Sequence, residues 1–455
     1  MPERSLSEIA AEAYIYYYPL VTNLGQVRRF VREGVGHVPA TAYNVFAHAR
    51  HLATDRDTFV AVNNDTLYSV AQCDLSTGPI VLSVPAVPER YYVLQFVDAW
   101  TDDFAYVGAR ATGPDAGTYL IVPSGYEGEV PDGMTRITAP TDVFTIVGRF
   151  ACDGPHDLGA VHTLQDSLEL STLWEAVAPA EGVADVADVP EELLFWEQAR
   201  AYSLAYPPSE ADQHGQDSFA ALGVTSVLSP YLEASADLRE TLEQGERSGE
   251  EKLDYFSHHS DAPASNGWTA DVHGFDFNVS YFEIGTINSP QWQIAEPAKR
   301  LLTRALAARL GLWGNHGYEA VYASTFTDAV GRPLDGSAAY EIRVTNDPPV
   351  RAFWSITLYD VPGSHLVPNP VNRYSIGDRT PGLVRDADGA LAITIGHADP
   401  SDADARANWL PAPEGPFRLM MRLYWPDEPI LDGTYAFPPI KRVGNDSTAI
   451  DAENA

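Results

Sequence analysis

Arg90-Tyr91-Tyr92-Val93-Leu94-Gln95-Phe96-Val97-Asp98 is the stretch whose reading decides the fold. It is short, rich in aromatic and β-branched residues and preceded by a turn signal at Pro85, as a strand in a packed sheet requires. Working outward, the same period-two character recurs at 58–62, 69–74, 80–84, 104–109, 118–122, 135–138 and 143–150, punctuated by Thr77-Gly78-Pro79, Gly113-Pro114, Pro123, Gly125 and Pro140. Short strands at roughly ten-residue spacing predict an antiparallel sandwich or barrel. The pattern returns at 318–327, 340–345, 352–358, 391–395 and 417–424, with Asp335-Gly336 and Asp388-Gly389 as hairpin turns.

Helical spacing occupies the remainder. Residues 5–32 carry apolar positions at Ile9, Ala13, Tyr17, Leu20, Leu24 and Val27 behind the caps Ser5 and Ser7, and Pro19 predicts a kink or break. Further helices are expected at 157–170, 190–204, 231–246 and 295–312, around a small, acidic loop at 176–189. The expected chain is mainly β: an N-terminal helix and first sandwich (1–155), a helical insert or bridge (156–312), a second sandwich (313–442) and a disordered tail (443–455).

The 455 residues carry a formal net charge of −34, with lysine confined to Lys252, Lys299 and Lys441. So acidic a surface repels phosphate backbones and anionic lipid, which argues against nucleic-acid and membrane partners. No run of about 18 uncharged apolar residues exists to span a bilayer. The first residues lack the basic-then-apolar order of a secretory signal, so a cytoplasmic location is expected. Cys73 and Cys152 lie in strand-like runs and read as reduced, buried thiols.

The candidate chemistry centres on Val62-Asn63-Asn64-Asp65-Thr66-Leu67-Tyr68-Ser69, short polar side chains set between apolar runs. A turn pinned by its own Asn and Asp side chains explains this spacing as well as a pocket does. In the pocket reading Asp65 is a general base or nucleophile, and Tyr68 or His48 donates a proton. His48 and His51 would share one helical face at a spacing a metal could use, but a third ligand is missing. No metal or other cofactor is therefore assigned. Asn64, Thr66, Asp98, Arg149, Trp354, Arg373, Tyr374, Trp409 and Arg422 are candidate substrate contacts, because guanidinium forks grip anions and rings stack on sugars. Trp and Tyr on sandwich strands are equally ordinary core residues. Phosphate-loop, dinucleotide, Gly-x-Ser-x-Gly, Cys-x-x-Cys and His-Glu-x-x-His signatures are absent.

These residues resemble a bacterial pair of domains of unknown function, 1254 followed by 1214. The first resemblance rests on Tyr18-Pro19-Leu20, His48-Ala49-Arg50, Asn63-Asn64-Asp65-Thr66-Leu67-Tyr68-Ser69, Arg90-Tyr91-Tyr92, Asp98-Ala99 and Gly148-Arg149. The second rests on Phe353-Trp354-Ser355, Asn372-Arg373-Tyr374-Ser375-Ile376-Gly377-Asp378, Asn408-Trp409-Leu410-Pro411 and Arg422-Leu423-Tyr424. The resemblance implies two jelly-roll-like sandwiches with helices between them and supplies no catalytic residues. Many relatives look exported, unlike this chain.

Three functions follow as expectations. The first is an enzyme performing hydrolysis or acid/base chemistry on a small polar substrate in a cleft between the β domains. The second is a non-catalytic carbohydrate or small-ligand binder, and the third a metal-dependent enzyme on a cupin-like sandwich. Sheet edges leave room for a homodimer, which nothing in the sequence fixes.

Overall fold

In the computed structural model, residues 4–57, 61–174, 178–259 and 264–443 are described. The first β unit contains β1 (Ala47–His48), β2 (Thr66–Asp74), β3 (Ile80–Val84), β4 (Tyr92–Asp98), β5 (Asp103–Gly108), β6 (Gly117–Pro123), β7 (Thr135–Ala139), β8 (Val143–Ala151) and β9 (Glu169–Thr172). They form sheets of order β1-β2-β8-β4-β5 and β7-β6-β3-β9. Leu67, Ala71 and Cys73 of β2 meet Ile80 and Leu82 of β3 and Ile121 of β6 in the core between them. Alternation is clean in β3, where Ile80, Leu82 and Val84 are buried and Val81 and Ser83 half-buried, whereas β4 and β8 are buried along their whole length. The outer face of their sheet is therefore covered too.

What covers part of it is the second β unit. Its strands are β10 (Ala264–Ser265), β11 (Trp268–Ala270), β12 (Ala320–Thr325), β13 (Ala339–Val344), β14 (Val350–Asp360), β15 (Ser375–Gly377), β16 (Leu391–Gly396), β17 (Trp409–Pro411), β18 (Phe417–Pro426) and β19 (Ile440–Val443). They form sheets β10-β11-β12-β18-β14-β15 and β17-β16-β13-β19 around Trp354, Ile356, Met421, Ile342 and Ile393. Tyr91, Val93, Tyr106 and Ala151 of the first unit pack on Phe353, Tyr424, Tyr318 and Trp292, so the two sandwiches meet across the outer faces of their larger sheets. Two edge pairs are parallel, β6 with β7 and β16 with β17, which departs from a wholly antiparallel pattern.

Helices fill the remaining side. α1 (Leu6–Glu33) starts at a capping box formed by Ser5 and Glu8, and it runs through the buried Pro19 without a break. Its tyrosines pack against α3 (Leu194–Ala205), α5 (Ala236–His258) and α6 (Pro297–Gly311), and this packing holds the helix together despite the hydrogen bond that proline removes. The helix expected over 157–170 ends early: α2 spans Leu158–Asp166, and the chain then enters β9, paired with β3. A polar hub ties the layers together. Arg304 of α6 bonds Asp102, beside β5, and lies 3.5 Å from Asp212 of α4 (Glu210–Asp217), which also receives Arg300 at 2.7 Å. Of the expected strand 58–62, residues 58–60 fall outside the described residues, and Ala61 and Val62 are not in a strand. The expected tail lies outside them beyond Val443, the last residue of β19.

Candidate functional site

Residues 61–66 enter β2 through a strained turn, with Ala61 at φ +52°. Asn63 pins it: its side-chain oxygen accepts the Asp65 backbone N–H at 2.5 Å, and its amide donates to Thr66 Oγ1 at 3.0 Å. This is the Asx-type geometry expected of such a segment. The partners of the turn, however, come from the other sandwich. Asn63 donates to Tyr424 Oη at 2.7 Å, Tyr359 Oη donates to the Val62 carbonyl at 2.8 Å, and Arg422 donates to the Ala61 carbonyl at 2.9 Å. The Asp65 side chain does not cap its own turn. Its Oδ2 accepts the Ser355 hydroxyl at 2.6 Å, with both residues about 95 % buried.

A cleft of about 930 Å³ opens at this junction. The first β unit contributes Asn64, Asp65, Cys152 and Asp153 to it, and the second contributes Ser355, Arg373, Tyr374, Ser375 and Arg379. The Arg379 guanidinium carbon lies over Phe353, 3.5 Å from the ring centroid, and Arg379 donates to Asp153 at 2.6 Å and to the Asp65 carbonyl at 3.2 Å. Its Nε is buried with no partner among the described residues. Arg373 donates to the carbonyls of Ala407 and Trp409 at 2.8 and 2.9 Å, and burial lowers its pKa. Tyr374 donates to Asp55 at 2.6 Å, and Ser375 to the Asn64 side-chain oxygen at 3.2 Å. Burial raises the pKa of the Cys152 thiol, which favours its neutral form.

The other sequence candidates are distributed around this cleft. Arg422 is buried behind it, donating to Thr357 and Tyr359, and Tyr359, Tyr424 and Asp65 keep its pKa raised despite burial. Thr66 is buried in the turn. Trp354 borders the cleft but is buried in the second core, and Trp409 donates its indole N–H to the Gly396 carbonyl. Tyr68 and Arg149 are register partners on β2 and β8 and line a separate cavity. Asp98 accepts the N–H groups of Trp100 and Asp102 at 2.9 and 2.8 Å, so it caps the β4–β5 turn away from the cleft.

His48 is likewise remote. It lies in a strand rather than a helix, because Ala47 and His48 pair with Val70 and Ser69 of β2, and its Nδ1 faces Ser69 Oγ at 2.9 Å. Burial, aided by Arg50, lowers its pKa to about 4. His51 lines the cleft and does not share a helical face with His48. Among the described residues no group of three or more His, Cys, Asp or Glu is placed to hold a metal. Cleft residues absent from the candidates read from the sequence include Ser355, Arg379 and Cys152. The first two sit in or just beyond the motifs around Trp354 and Tyr374, and this was the available signal.

Fold and cleft together define a double β-sandwich protein with one cleft built by both units. The chain carries the DUF1254 and DUF1214 pair: residues 43–172 match the former and 319–428 the latter, both described as proteins of unknown function. The chain is similar in fold to the VPA0106 protein of Vibrio parahaemolyticus, at 24% identity and TM-score 0.74, covering 97% of this chain and 100% of that one. An uncharacterized protein from Burkholderia cenocepacia aligns at 12% identity and TM-score 0.45 over 94% and 88% of the two chains. No curated protein matches the chain. Among the described residues no helix is long and apolar enough to cross a membrane.

Proposed function

We propose that the protein is an enzyme performing hydrolysis or general acid/base chemistry on a small polar substrate held in the cleft between its β units. The observation that carries this reading is the Ser355 hydroxyl on the Asp65 carboxylate, one residue from each sandwich, at the cleft wall. A carboxylate bonded to a hydroxyl can accept its proton as that oxygen, or a water in its place, attacks an electrophilic centre. Arg379 and Arg373 are positioned to hold an anionic or strongly polar group of the substrate. Tyr68 and His48 have no part in this arrangement, which narrows the catalytic assignment to Asp65 and Ser355.

A screen of esters, amides and glycosides, followed by Asp65→Asn and Ser355→Ala, tests the reading. Each variant should lower kcat/KM on a substrate so found by at least about a hundredfold, the lower range for loss of a positioned acid/base group. Unchanged turnover in both would refute it. Non-catalytic binding of a carbohydrate or other small ligand is the second reading, favoured by the hydroxyl and amide groups of Tyr374, Ser375 and Asn64 on the same wall. A cytoplasmic setting is proposed as well, on the strength of two buried, free cysteines.

A further inference from the structure

Behind residues 61–63 lies a second cavity of about 110 Å³, which shares no lining residue with the cleft among the described residues. Phe30, Val70, Val147 and Trp313 give it apolar walls, and Arg149, Tyr68 and His37 also line it. Arg149 is 6% exposed. Its donors go to Gln95 Oε1 at 2.8 Å, the Trp313 carbonyl at 2.6 Å and Asn315 Oδ1 at 3.4 Å, all neutral acceptors. The buried Arg200, Arg300 and Arg304 each bond a carboxylate, whereas Arg149 has none within ion-pair distance among the described residues. Asp103 lies on the far side of Gln95, which donates to it at 2.7 Å, and burial pushes its pKa up to about 8. Burial favours the neutral form of that carboxyl, so it is a poor counter-charge for the guanidinium, from which Gln95 separates it. A buried cation without a counter-charge is costly, and an anion in the adjoining space removes the cost. Independently, His37 Nε2 is buried with no partner among the described residues, while Nδ1 faces Asp57 at 3.2 Å.

We propose that this cavity binds a short-chain aliphatic monocarboxylate, its carboxylate on Arg149 and Tyr68 and its alkyl chain among Phe30, Val70 and Val147. The volume equals roughly four waters at about 30 Å³ each, which suits an acid of three or four carbons. The apolar walls select an alkyl chain over a bare inorganic anion.

The test is calorimetric titration of the full chain with butyrate, butyramide and chloride at constant ionic strength, beside thermal-shift measurement. Butyrate should bind one to one and raise the melting temperature, with butyramide and chloride at least tenfold weaker. Val38→Phe, which puts a larger ring into the cavity at another of its lining residues, should weaken butyrate at least tenfold, and Arg149→Gln should abolish binding. If either variant fails to fold, the butyrate-to-butyramide ratio in the unaltered protein decides. No heat with butyrate, equal binding of butyramide or chloride, or unchanged affinity in Val38→Phe would overturn the proposal. Asp65→Asn, at the cleft, should leave butyrate affinity unchanged, so failure at one site is distinguishable from failure at the other.

Discussion

Ser355→Ala removes the hydroxyl that donates to Asp65 across the junction at 2.6 Å, a length characteristic of a charge-assisted O–H···O⁻ bond. With both residues buried, solvent replaces the lost bond poorly, and the expected cost is about 1.5–3 kcal/mol. For a chain of 455 residues the unfolding entropy approaches about 1 kcal/mol/K, so even cooperative melting would move Tm by only about 2–3 °C. Denaturant titration is therefore the better assay, with the m-value monitored because two sandwiches need not unfold as one. The discriminating form is a double-mutant cycle of Ser355→Ala and Asp65→Ala. Effects of Asp65 on Arg422 and Tyr424 enter both arms and cancel, leaving a coupling of about 1.5–3 kcal/mol. A coupling below about 0.5 kcal/mol, the level at which independent sites add, would show that the pair is not made and would remove the basis for the proposed chemistry.

Arg304→Met should cost about 3–5 kcal/mol in urea, because it leaves Asp102 buried without its guanidinium, and a loss under about 1 kcal/mol would contradict the polar hub. Gly245→Ala on α5 would place a Cβ 2.2 Å from Ala10 Cβ and 2.8 Å from the Ala10 backbone. Overpacking of about 1–3 kcal/mol then outweighs the gain of about 1 kcal/mol in helix propensity, so equal or greater stability would mean that α1 and α5 do not touch there. Asp103→Asn should alter the pH profile of stability. Burial raises the folded pKa of Asp103 from 3.8 to about 8, so its contribution is fully present below the unfolded value and declines as pH rises through 8. The amide cannot ionise, and Tyr106 Oη, which also faces His316 Nδ1 at 2.9 Å, can turn to accept from it. The variant should therefore gain on the parent between about pH 4 and 8, and parallel profiles would refute the shift. The burial-lowered pKa of His48, about 4, works in the opposite sense: stability is full above the ordinary 6.5 and lost as pH falls toward 4. Replacing His48 by Gln should flatten the acid limb between those values, as followed by urea midpoint.

Period-two alternation made the longer strands legible because β3, β13 and β16 bury alternate residues against one core. It failed at β9, where Glu-Leu-Ser-Thr is a polar edge with little to bury, and at β15 and β17, three residues each and sustained by neighbours rather than by pattern. Asp65 and Tyr374 were legible as polar residues near strand ends. Ser355 was not singled out as a site residue, since a serine within the apolar run 350–360 reads as a small residue of the core. Its significance comes from register. Ser355 pairs with Arg422, which also pairs with Tyr322, so all three share the outer face of their sheet, while Trp354 and Leu423 turn inward to the second core. On the opposing sheet Tyr68 pairs with Arg149. Local spacing could therefore place each pair on a face, but Asp65 and Ser355 are 290 residues apart, and only the docking of the two outer faces makes them neighbours. That docking also explains why residues assigned to one site by proximity in sequence are divided between two. Residues 61–66 run along the seam, bonded to Tyr359, Arg422 and Tyr424, with Asn64 and Asp65 turned to the cleft and Asn63 to the cavity of Arg149.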